Sequence, residues 1–302
     1  MKKKLFAIAV VLLATLSASA QILYKVSGGK LIKPSYVVGT FHLADASFAQ
    51  KIPGIKEALD ATDQVCGELK WDDLLNPDSL RQMQSNMMLP EGKTLEGVLD
   101  KKTYGKLSEY LKTTMGAGLD NPIVAQQMGR LLPAVISTQL QMLQYMSKHM
   151  GEFDPTNTID SYFQTQAKAN NEPISGLETI RFQCGVLYGS MTLERQKTLL
   201  DCFLDNRAYY DDLYDRMAKA YFAQDLDALE KIIDEKFNAT CDATPEEQDI
   251  LINQRNANWM KKLPGIMTAK PTLFVVGAGH LPGEKGLLHM LKNAGYTVEA
   301  VK

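Results

Sequence analysis

The chain has 302 residues, of which 45% are hydrophobic and 23% are charged, with 33 Lys and Arg residues against 35 Asp and Glu residues. This composition is typical of a globular protein, and after the first twenty positions no apolar run is long enough to cross a membrane. The formal net charge is -2, and no cluster of basic residues follows the first four positions. These features exclude the electrostatic footprint of a nucleic-acid-binding protein, so we expect no nucleic-acid partner.

The first twenty residues have the three parts of a secretory signal peptide. Residues 2–4 are lysines, residues 5–16 form an apolar stretch, and residues 18–20 are Ala-Ser-Ala, a small-residue cleavage site before Gln21. Cysteine does not follow this site, so a lipid anchor is not indicated. We therefore expect an exported protein, periplasmic or secreted, whose mature chain begins at Gln21 and has no transmembrane segment.

The first part of the mature chain predicts a hairpin followed by a crossover. Two short β-rich runs, residues 22–26 and 36–39, flank a Ser-Gly-Gly-Lys turn, which is typical of a hairpin. Residues 53–61 contain helix formers, and residues 63–69 return to a strand-like run. The second hairpin strand, this helix and this last strand should form a right-handed crossover unit.

A helical block follows, from residue 76 to about residue 242, with breaks at Pro and Gly residues. Within it, a helix is predicted at about residues 158–170. The short apolar run at residues 173–178 then interrupts the block. We interpret this run as another central strand.

The end of the chain returns to a sheet-like pattern, with a strand at residues 272–277, a helix at residues 284–293 and a strand at residues 296–301. Sheet elements thus flank the helical block, and no low-complexity linker separates them. We therefore expect one α/β domain over residues 21–302. Its mixed, largely parallel central sheet is built from both chain ends and carries a large helical insertion at about residues 76–242.

Four cysteines are spread through the chain, at positions 66, 184, 202 and 241. Export permits disulfides, and four cysteines allow three pairings. Their spacings contain no CxxC or other short metal-binding pattern, which argues against a thiolate zinc site. If two antiparallel helices meet at a turn near residues 223–224, Cys202 and Cys241 lie at similar heights along them. We therefore expect a disulfide between these two cysteines.

One motif occurs twice, once near each end of the chain. Residues 36–43 read Tyr-Val-Val-Gly-Thr-Phe-His-Leu, and residues 274–281 read Phe-Val-Val-Gly-Ala-Gly-His-Leu. A buried strand that ends at glycine lets the backbone turn sharply and carry the next polar side chain over the carboxyl edge of the sheet, where open α/β sheets bind ligands. We therefore expect His42 and His280 to share one site, as metal ligands or in proton transfer.

Glu68 ends the strand that follows the first motif by one crossover helix. A right-handed parallel neighbour would place its carboxylate close to His42. Burial of a glutamate at a strand end is costly, which favours a functional role. One carboxylate and two imidazoles are the composition of a divalent-metal site or of a general acid/base set.

Two further polar residues lie in apolar surroundings, and each has two interpretations. Glu178 could act at the site, or it could cap a helix that begins at Thr179. Arg255 could stabilise a substrate oxyanion or hold a structural carboxylate. For Asp160 we favour a position in the first turn of a helix, where the helix dipole stabilises a carboxylate.

These motifs resemble those of the TraB/GumN family, which includes the Tiki-type proteases and whose hallmark is a GxxH motif near each end. The resemblance covers most of the mature chain, and the motifs stand in the order that the family has. They are Gly39-Thr-Phe-His42, Glu68, residues 89–95 (Leu-Pro-Glu-Gly-Lys-Thr-Leu), Ile159-Asp160, Gly176-Leu-Glu-Thr179, Arg255-Asn256 and Gly277-Ala-Gly-His280.

The resemblance implies an α/β fold similar to that of the erythromycin esterases and the ChaN-like proteins, with both histidines and the glutamate at the active cleft. Similarity to the Tiki-type proteases implies a divalent metal ion, with manganese, cobalt or zinc as candidates, held by His42, Glu68 and His280. Similarity to the erythromycin esterases implies instead a metal-free hydrolysis with His42 as general base. The family also includes plasmid proteins that dampen peptide pheromone signalling.

We therefore expect an exported hydrolase that acts on a peptide or a small acyl substrate with the help of a divalent metal ion. In this hypothesis the metal polarises the carbonyl and lowers the pKa of its bound water toward about 7. Glu68 or Glu178 takes the proton of that water, and Arg255 stabilises the developing negative charge. The alternatives are a metal-free hydrolase and a peptide-sequestering binding protein that captures its ligand without turnover.

Overall fold

The computed structural model describes residues 21–302, so the signal peptide predicted at residues 1–20 lies outside the described residues. Within the described part, no helix is both long and apolar enough to cross a membrane. The strands of this part are β1 (Leu23–Gly28), β2 (Ser35–Thr40), β3 (Gln64–Gly67), β4 (Ile174–Gly176), β5 (Thr272–Gly277) and β6 (Tyr296–Ala300).

These strands form one mixed sheet in the order β4-β3-β5-β2-β1-β6. The pairs β4–β3, β3–β5 and β5–β2 are parallel, whereas β1 is antiparallel to both β2 and β6. The sheet therefore combines strands from the start of the chain, β1, β2 and β3, with strands from its end, β5 and β6. The prediction of an α/β fold with a mixed, largely parallel sheet built from both chain ends is confirmed.

The two central strands, β2 and β5, are buried along their whole length. Parallel strands covered by helices on both faces have this near-continuous apolar pattern, and it is why both Val-Val runs stand out in the sequence. The predicted central position of the run at residues 173–178 is wrong. Its strand, β4, has only three half-buried residues and forms the edge of the sheet next to β3.

Helices account for most of the rest of the described chain. The α-helices are α1 (Ile55–Ala61), α2 (Trp71–Leu74), α3 (Pro77–Met87), α4 (Leu95–Val98), α5 (Lys101–Met115), α6 (Pro122–Met128), α7 (Pro133–Lys148), α8 (Ile159–Ala169), α9 (Ile180–Cys184), α10 (Leu193–Asp205), α11 (Arg207–Phe222), α12 (Leu226–Ile233), α13 (Pro245–Gln248), α14 (Gln254–Met260), α15 (Leu263–Ala269) and α16 (Leu287–Asn293).

The helical insertion is longer than the predicted block of about residues 76–242. It begins with α2 directly after β3, and it continues through α13, α14 and α15 up to β5. A capping box formed by Thr244 and Glu247, with Pro245 in the first turn, starts a new helix just where the predicted block ends. Helix α14, which follows this new helix, contributes Arg255 to the candidate site described below.

Two hydrophobic clusters hold the fold together. The larger cluster contains the sheet, and its largest buried side chains are Trp259, Tyr221, Phe163 and Phe274. The second cluster lies among the helices of the insertion, chiefly α5, α7 and α10. The site described below lies at the edge of the first cluster, where the parallel strands end.

The predicted disulfide between Cys202 and Cys241 is confirmed, with 5.6 Å between the two Cα atoms. The geometry differs from the one we expected. Cys202 lies on α10, which ends before Asn206, and Cys241 lies in the loop that follows α12. The bond therefore joins a helix to a loop rather than two facing helices. Cys66 and Cys184 are buried free thiols.

Candidate active site at the carboxyl edge of the sheet

Four parallel strands each deliver one polar side chain to the same edge. In sheet order these are Glu178 after β4, Glu68 after β3, His280 after β5 and His42 after β2. Carboxyl ends of parallel strands meet at one edge, where open α/β sheets bind ligands. The strand that ends at Glu68 was expected to be the direct neighbour of the first motif's strand. This expectation is wrong, because β5 lies between β2 and β3. The strand that ends at Glu68 is therefore next to the strand of the second motif, and the strand of the first motif lies one position farther along the sheet.

His42 forms a pair with Asp160. His42 Nδ1 lies 3.0 Å from Asp160 Oδ2, and the hydroxyl of Thr40 donates to Asp160 Oδ1 at 2.6 Å. Asp160 lies in the first turn of α8, as we favoured. It has in addition the role of an imidazole partner, which the sequence analysis did not assign. The carboxylate fixes the hydrogen on Nδ1, so the Nε2 atom of His42 is left free of this bond.

The charge of Asp160 is the main cause that raises the pKa of His42, to about 9, while Glu68 acts in the same direction and Arg255 opposes it. The side chain of His42 is 68% exposed, so water screens part of the Asp160 charge. The pKa of His42 is therefore raised from 6.5 toward about 9.

Arg255, on α14, is enclosed by acceptors. Its Nε donates to both oxygens of Glu178 at 3.0 and 3.2 Å, and its Nη2 donates to Glu178 and to Glu68. Its Nη1 donates to the Leu251 carbonyl at 3.3 Å and to His280 Nε2 at 2.9 Å. All five N–H groups of the guanidinium thus have partners within the described chain. The predicted use of Arg255 as an oxyanion donor would require one of these bonds to break.

Glu178 lies in the middle of this cluster, and the capping alternative is wrong. Thr179 is itself the N-cap of α9, since its side chain accepts from Phe182 N. Glu178 Oε1 instead accepts from Trp259 Nε1 at 2.8 Å, in addition to its bonds with Arg255. Its side chain is 3% exposed. Glu178 therefore holds Arg255 in place, and its burial keeps it out of contact with solvent.

Glu68 is held at both oxygens. Oε1 accepts from the backbone N–H of Gly277 at 2.8 Å, and Oε2 accepts from Gln183 Nε2 at 2.9 Å and from Arg255. Burial alone would raise the pKa of Glu68, but Arg255, the two histidines and the Gly277 N–H lower it to about 2. Glu68 is thus a carboxylate at every physiological pH.

Gly277 lies at the point where these groups come together. The position that a Cβ atom would take on Gly277 lies 3.2 Å from Glu68 Oε1, 3.6 Å from His280 Cδ2 and 3.8 Å from His42 Nε2. His42 Nε2 and Glu68 Oε1, which come from different strands, therefore both face the position that a side chain on residue 277 would occupy. Gly277 has a φ of -54°, so it is needed for this close approach and not, as we expected, for a sharp backbone turn.

The three residues predicted as metal ligands, His42, Glu68 and His280, lie together without forming a ligand set. His280 presents Cδ2 to the space above Gly277, and its Nε2 accepts from the Arg255 guanidinium. A divalent ion needs its donor atoms at about 2.0–2.2 Å. Among residues 21–302, no group of three His, Cys, Asp or Glu side chains is arranged to hold a metal ion. As they stand, the donors do not fit a three-ligand metal site.

The sequence analysis assigned no role to several residues that support the site. Thr40 lies two positions before His42, Asn256 follows Arg255, and Trp259 lies one helical turn after Arg255 and below its guanidinium, 4.9 Å from ring centroid to Cζ. The spacing of four between Arg255 and Trp259 places both on one helix face, which is a usable signal. Gln183 had no such signal, because its contact with Glu68 depends on how α9 packs.

Comparisons with known proteins show the family of the chain. A family model described as TraB/PrgY/gumN family matches residues 22–300. The chain is 21% identical to "Metalloprotease TIKI homolog" of Amphimedon queenslandica, over 88% of this chain and 59% of that protein. It is 24% identical to "Metalloprotease TIKI2" of Danio rerio, over 92% of this chain and 60% of that protein.

A third relative, "Metalloprotease TIKI1" of Homo sapiens, is 25% identical over 88% of this chain and 59% of that protein. The chain thus spans about three fifths of the length of the curated relatives it matches. Since the family model covers nearly all of the described residues, the chain belongs to the TraB/PrgY/gumN family.

Proposed function

We propose that this chain is a peptide hydrolase whose reacting centre is the space between His42 Nε2, Glu68 Oε1 and Gly277. The observation that carries the proposal is that these two acceptors, from separate strands, both face the side of Gly277 that carries no side chain: a Cβ atom there would lie 3.8 Å from His42 Nε2 and 3.2 Å from Glu68 Oε1. A water molecule bound farther out from Gly277, between the two acceptors, would donate one hydrogen to each of them. The names of the relatives, all of which contain the word metalloprotease, favour a peptide as the substrate.

In this mechanism His42 is the general base. Its Nε2 takes a proton from the water as the oxygen attacks the carbonyl carbon, and the resulting imidazolium is stabilised by Asp160. The same Nε2–H can then be donated to the leaving amine. Glu68 orients the water through Oε1, and the cluster of Arg255 and Glu178 holds Glu68 in place. A divalent metal is the alternative that the names of the relatives favour, but the donor set, as it stands, does not fit one.

The test is turnover of a mixed peptide library, followed by mass spectrometry, in the presence and absence of a chelator. Wild-type protein should release cleaved peptides, and His42→Ala should reduce the rate about 10²–10⁴-fold, the usual contribution of a general base. His289→Ala is the matched control, because His289 is an exposed histidine on α16. Recovery of intact, bound peptides would show a sequestering protein instead. Cleavage that requires added manganese, cobalt or zinc would overturn the metal-free mechanism.

We also propose that the protein is exported, periplasmic or secreted, on the strength of the signal-peptide pattern in residues 1–20. N-terminal sequencing of exported material should begin at Gln21, which can cyclise. Exported material that retains Met1 would contradict cleavage at this site.

A further inference from the structure

Asn256 is a fully buried polar residue on α14 whose orientation is fixed by its surroundings. Its side chain lies between His280 Nδ1 on one side and two backbone carbonyls on the other. The amide Nδ2 donates to the His280 carbonyl at 3.1 Å and to the Lys285 carbonyl at 2.9 Å. Carbonyl oxygens only accept hydrogen bonds, so the amide must place its NH₂ group there. The side-chain oxygen of Asn256 must then face His280.

The tautomer of His280 follows from this orientation. Asn256 Oδ1 lies 2.7 Å from His280 Nδ1, and an amide oxygen can only accept, so Nδ1 carries the hydrogen. Burial is the main cause that lowers the pKa of His280, to about 3, and Arg255 acts in the same direction. The ring is therefore neutral, with its one lone pair on Nε2. That lone pair accepts from Arg255 Nη1 at 2.9 Å.

We propose that Asn256 is a positioning residue that locks His280 in the Nδ1–H tautomer, so that His280 holds Arg255 in place instead of binding a metal or transferring a proton. The chain of contacts runs from Asn256 through His280 and Arg255 to Glu68, and it ends at the carboxylate oxygens that face Gln183 and Gly277. The second GxxH histidine is thus a support for the carboxylate, while the first is the reacting group. The inference concerns the proposed hydrolytic site, and its activity readout rests on that function.

The other tautomer would disrupt this arrangement. With its hydrogen on Nε2, His280 would point an N–H at an N–H of Arg255, and two lone pairs would face each other between Nδ1 and Asn256 Oδ1. Both contacts are buried, where an unpaired or opposed polar group is costly. The Trp259 ring, with its centroid 4.4 Å from that of His280, covers the ring from one side. No reorientation of the imidazole alone satisfies both neighbours.

Nuclear magnetic resonance of histidine ring nitrogens tests the tautomer directly, without any need for activity. The sequence has four histidines, so the signal that is lost in His280→Gln identifies His280. In wild-type protein near neutral pH, Nδ1 should be of the protonated, pyrrole type and Nε2 of the pyridine type. Asn256→Ala removes one of the two contacts that fix the tautomer and leaves the Arg255 contact. The fraction of the Nε2–H tautomer should therefore rise above its wild-type value, and in the control Asn258→Ala, on the same helix, it should not. An Nε2–H tautomer, an imidazolium at neutral pH, or an Nε2 signal that shifts on addition of zinc would overturn the proposal.

The activities of two His280 variants distinguish a supporting role of His280 from a role as general base or metal ligand. The amide oxygen of Gln can accept from Arg255 in place of Nε2, but it is a poor metal ligand and cannot take up a proton. His280→Gln should therefore retain at least about 10-fold more activity than His280→Ala, whereas a base or ligand should lose about 10²–10⁴-fold in both. Equal loss in the two folded variants would overturn the proposal. If wild-type protein cleaves no peptide, the proposed function fails, and the tautomer measurement still decides this inference.

Discussion

The backbone N–H of Gly277 donates to Glu68 Oε1 at 2.8 Å, while the missing side chain of the same residue leaves open the point that Glu68 and His42 both face. One residue thus orients the carboxylate and also leaves room for the water molecule of the proposed mechanism. A methyl group at this position should fill the space without breaking the N–H bond. Gly277→Ala should therefore lower kcat/KM about 10²-fold or more, as loss of the general-base step requires, and leave the free energy of unfolding within about 1 kcal/mol.

Gly279→Ala is the matched control for this prediction. It lies in the same loop, but its added Cβ would meet Ile233 Cδ1 at 3.3 Å and not the reacting centre. Near wild-type activity in Gly277→Ala, with normal folding, would show that the water does not bind above Gly277.

The glycine of the first motif has a different role. A Cβ on Gly39 would lie 2.8 Å from Leu281 Cδ1 and 3.0 Å from Ala278 Cα, so Gly39 allows the two motifs to pack against each other. Gly39→Ala should overpack this contact and lower the free energy of unfolding by about 1–3 kcal/mol. Urea denaturation followed by circular dichroism measures the change. An unchanged midpoint would mean that Leu281 moves aside without cost.

The rate should depend on pH through His42. The pKa of this imidazole is raised from 6.5 toward about 9, and only the neutral form accepts a proton, so kcat/KM should increase with pH and level off above that range. Asp160→Asn removes the charge that is the main cause of the shift. The rise should then move toward pH 6.5, and the plateau should fall by about 10²–10⁴-fold because the base loses its orienting partner. A pH profile of Asp160→Asn with an unchanged midpoint would contradict the pairing.

Loss of the disulfide should destabilise the protein. Cys202 and Cys241 are 39 residues apart, and closing a loop of this length stabilises a fold by about 2–4 kcal/mol. The double substitution of both cysteines by Ser should lower the free energy of unfolding by that amount. Thiol titration of the unfolded, unreduced protein should detect Cys66 and Cys184 alone. Detection of all four thiols in exported protein would show that the bond does not form.

The repeated motif made the sheet edge predictable from the sequence. Because both Val-Val strands are parallel and central, the residues that follow them had to meet at one edge, and His42 and His280 do. The strand order was not predictable in the same way. Insertion of β5 between β2 and β3 joins segments about 200 residues apart, and no local pattern encodes that pairing. The edge position of β4 was missed for the same reason.

The roles within the cluster could not be predicted from residue types alone. An arginine beside carboxylates is equally consistent with an oxyanion donor and with a structural partner. Only the contacts show that all five N–H groups of Arg255 are engaged, and only the orientation of Asn256 assigns the tautomer of His280. Asp160 shows the opposite case, since its helix position was predicted correctly while its contact with His42 depends on where α8 lies against β2.

The position of β5 has a consequence for how the chain folds. This strand lies in the middle of the parallel part of the sheet, yet it is the fifth of the six strands within residues 21–302, and the whole helical insertion separates it from β3. During synthesis, β2 and β3 therefore have no partner between them until the last residues appear, and the pairing that follows has a high contact order, which slows folding. A chain that ends before residue 272 would lack the strand that unites the others, and its two halves would expose unpaired strand edges that favour aggregation.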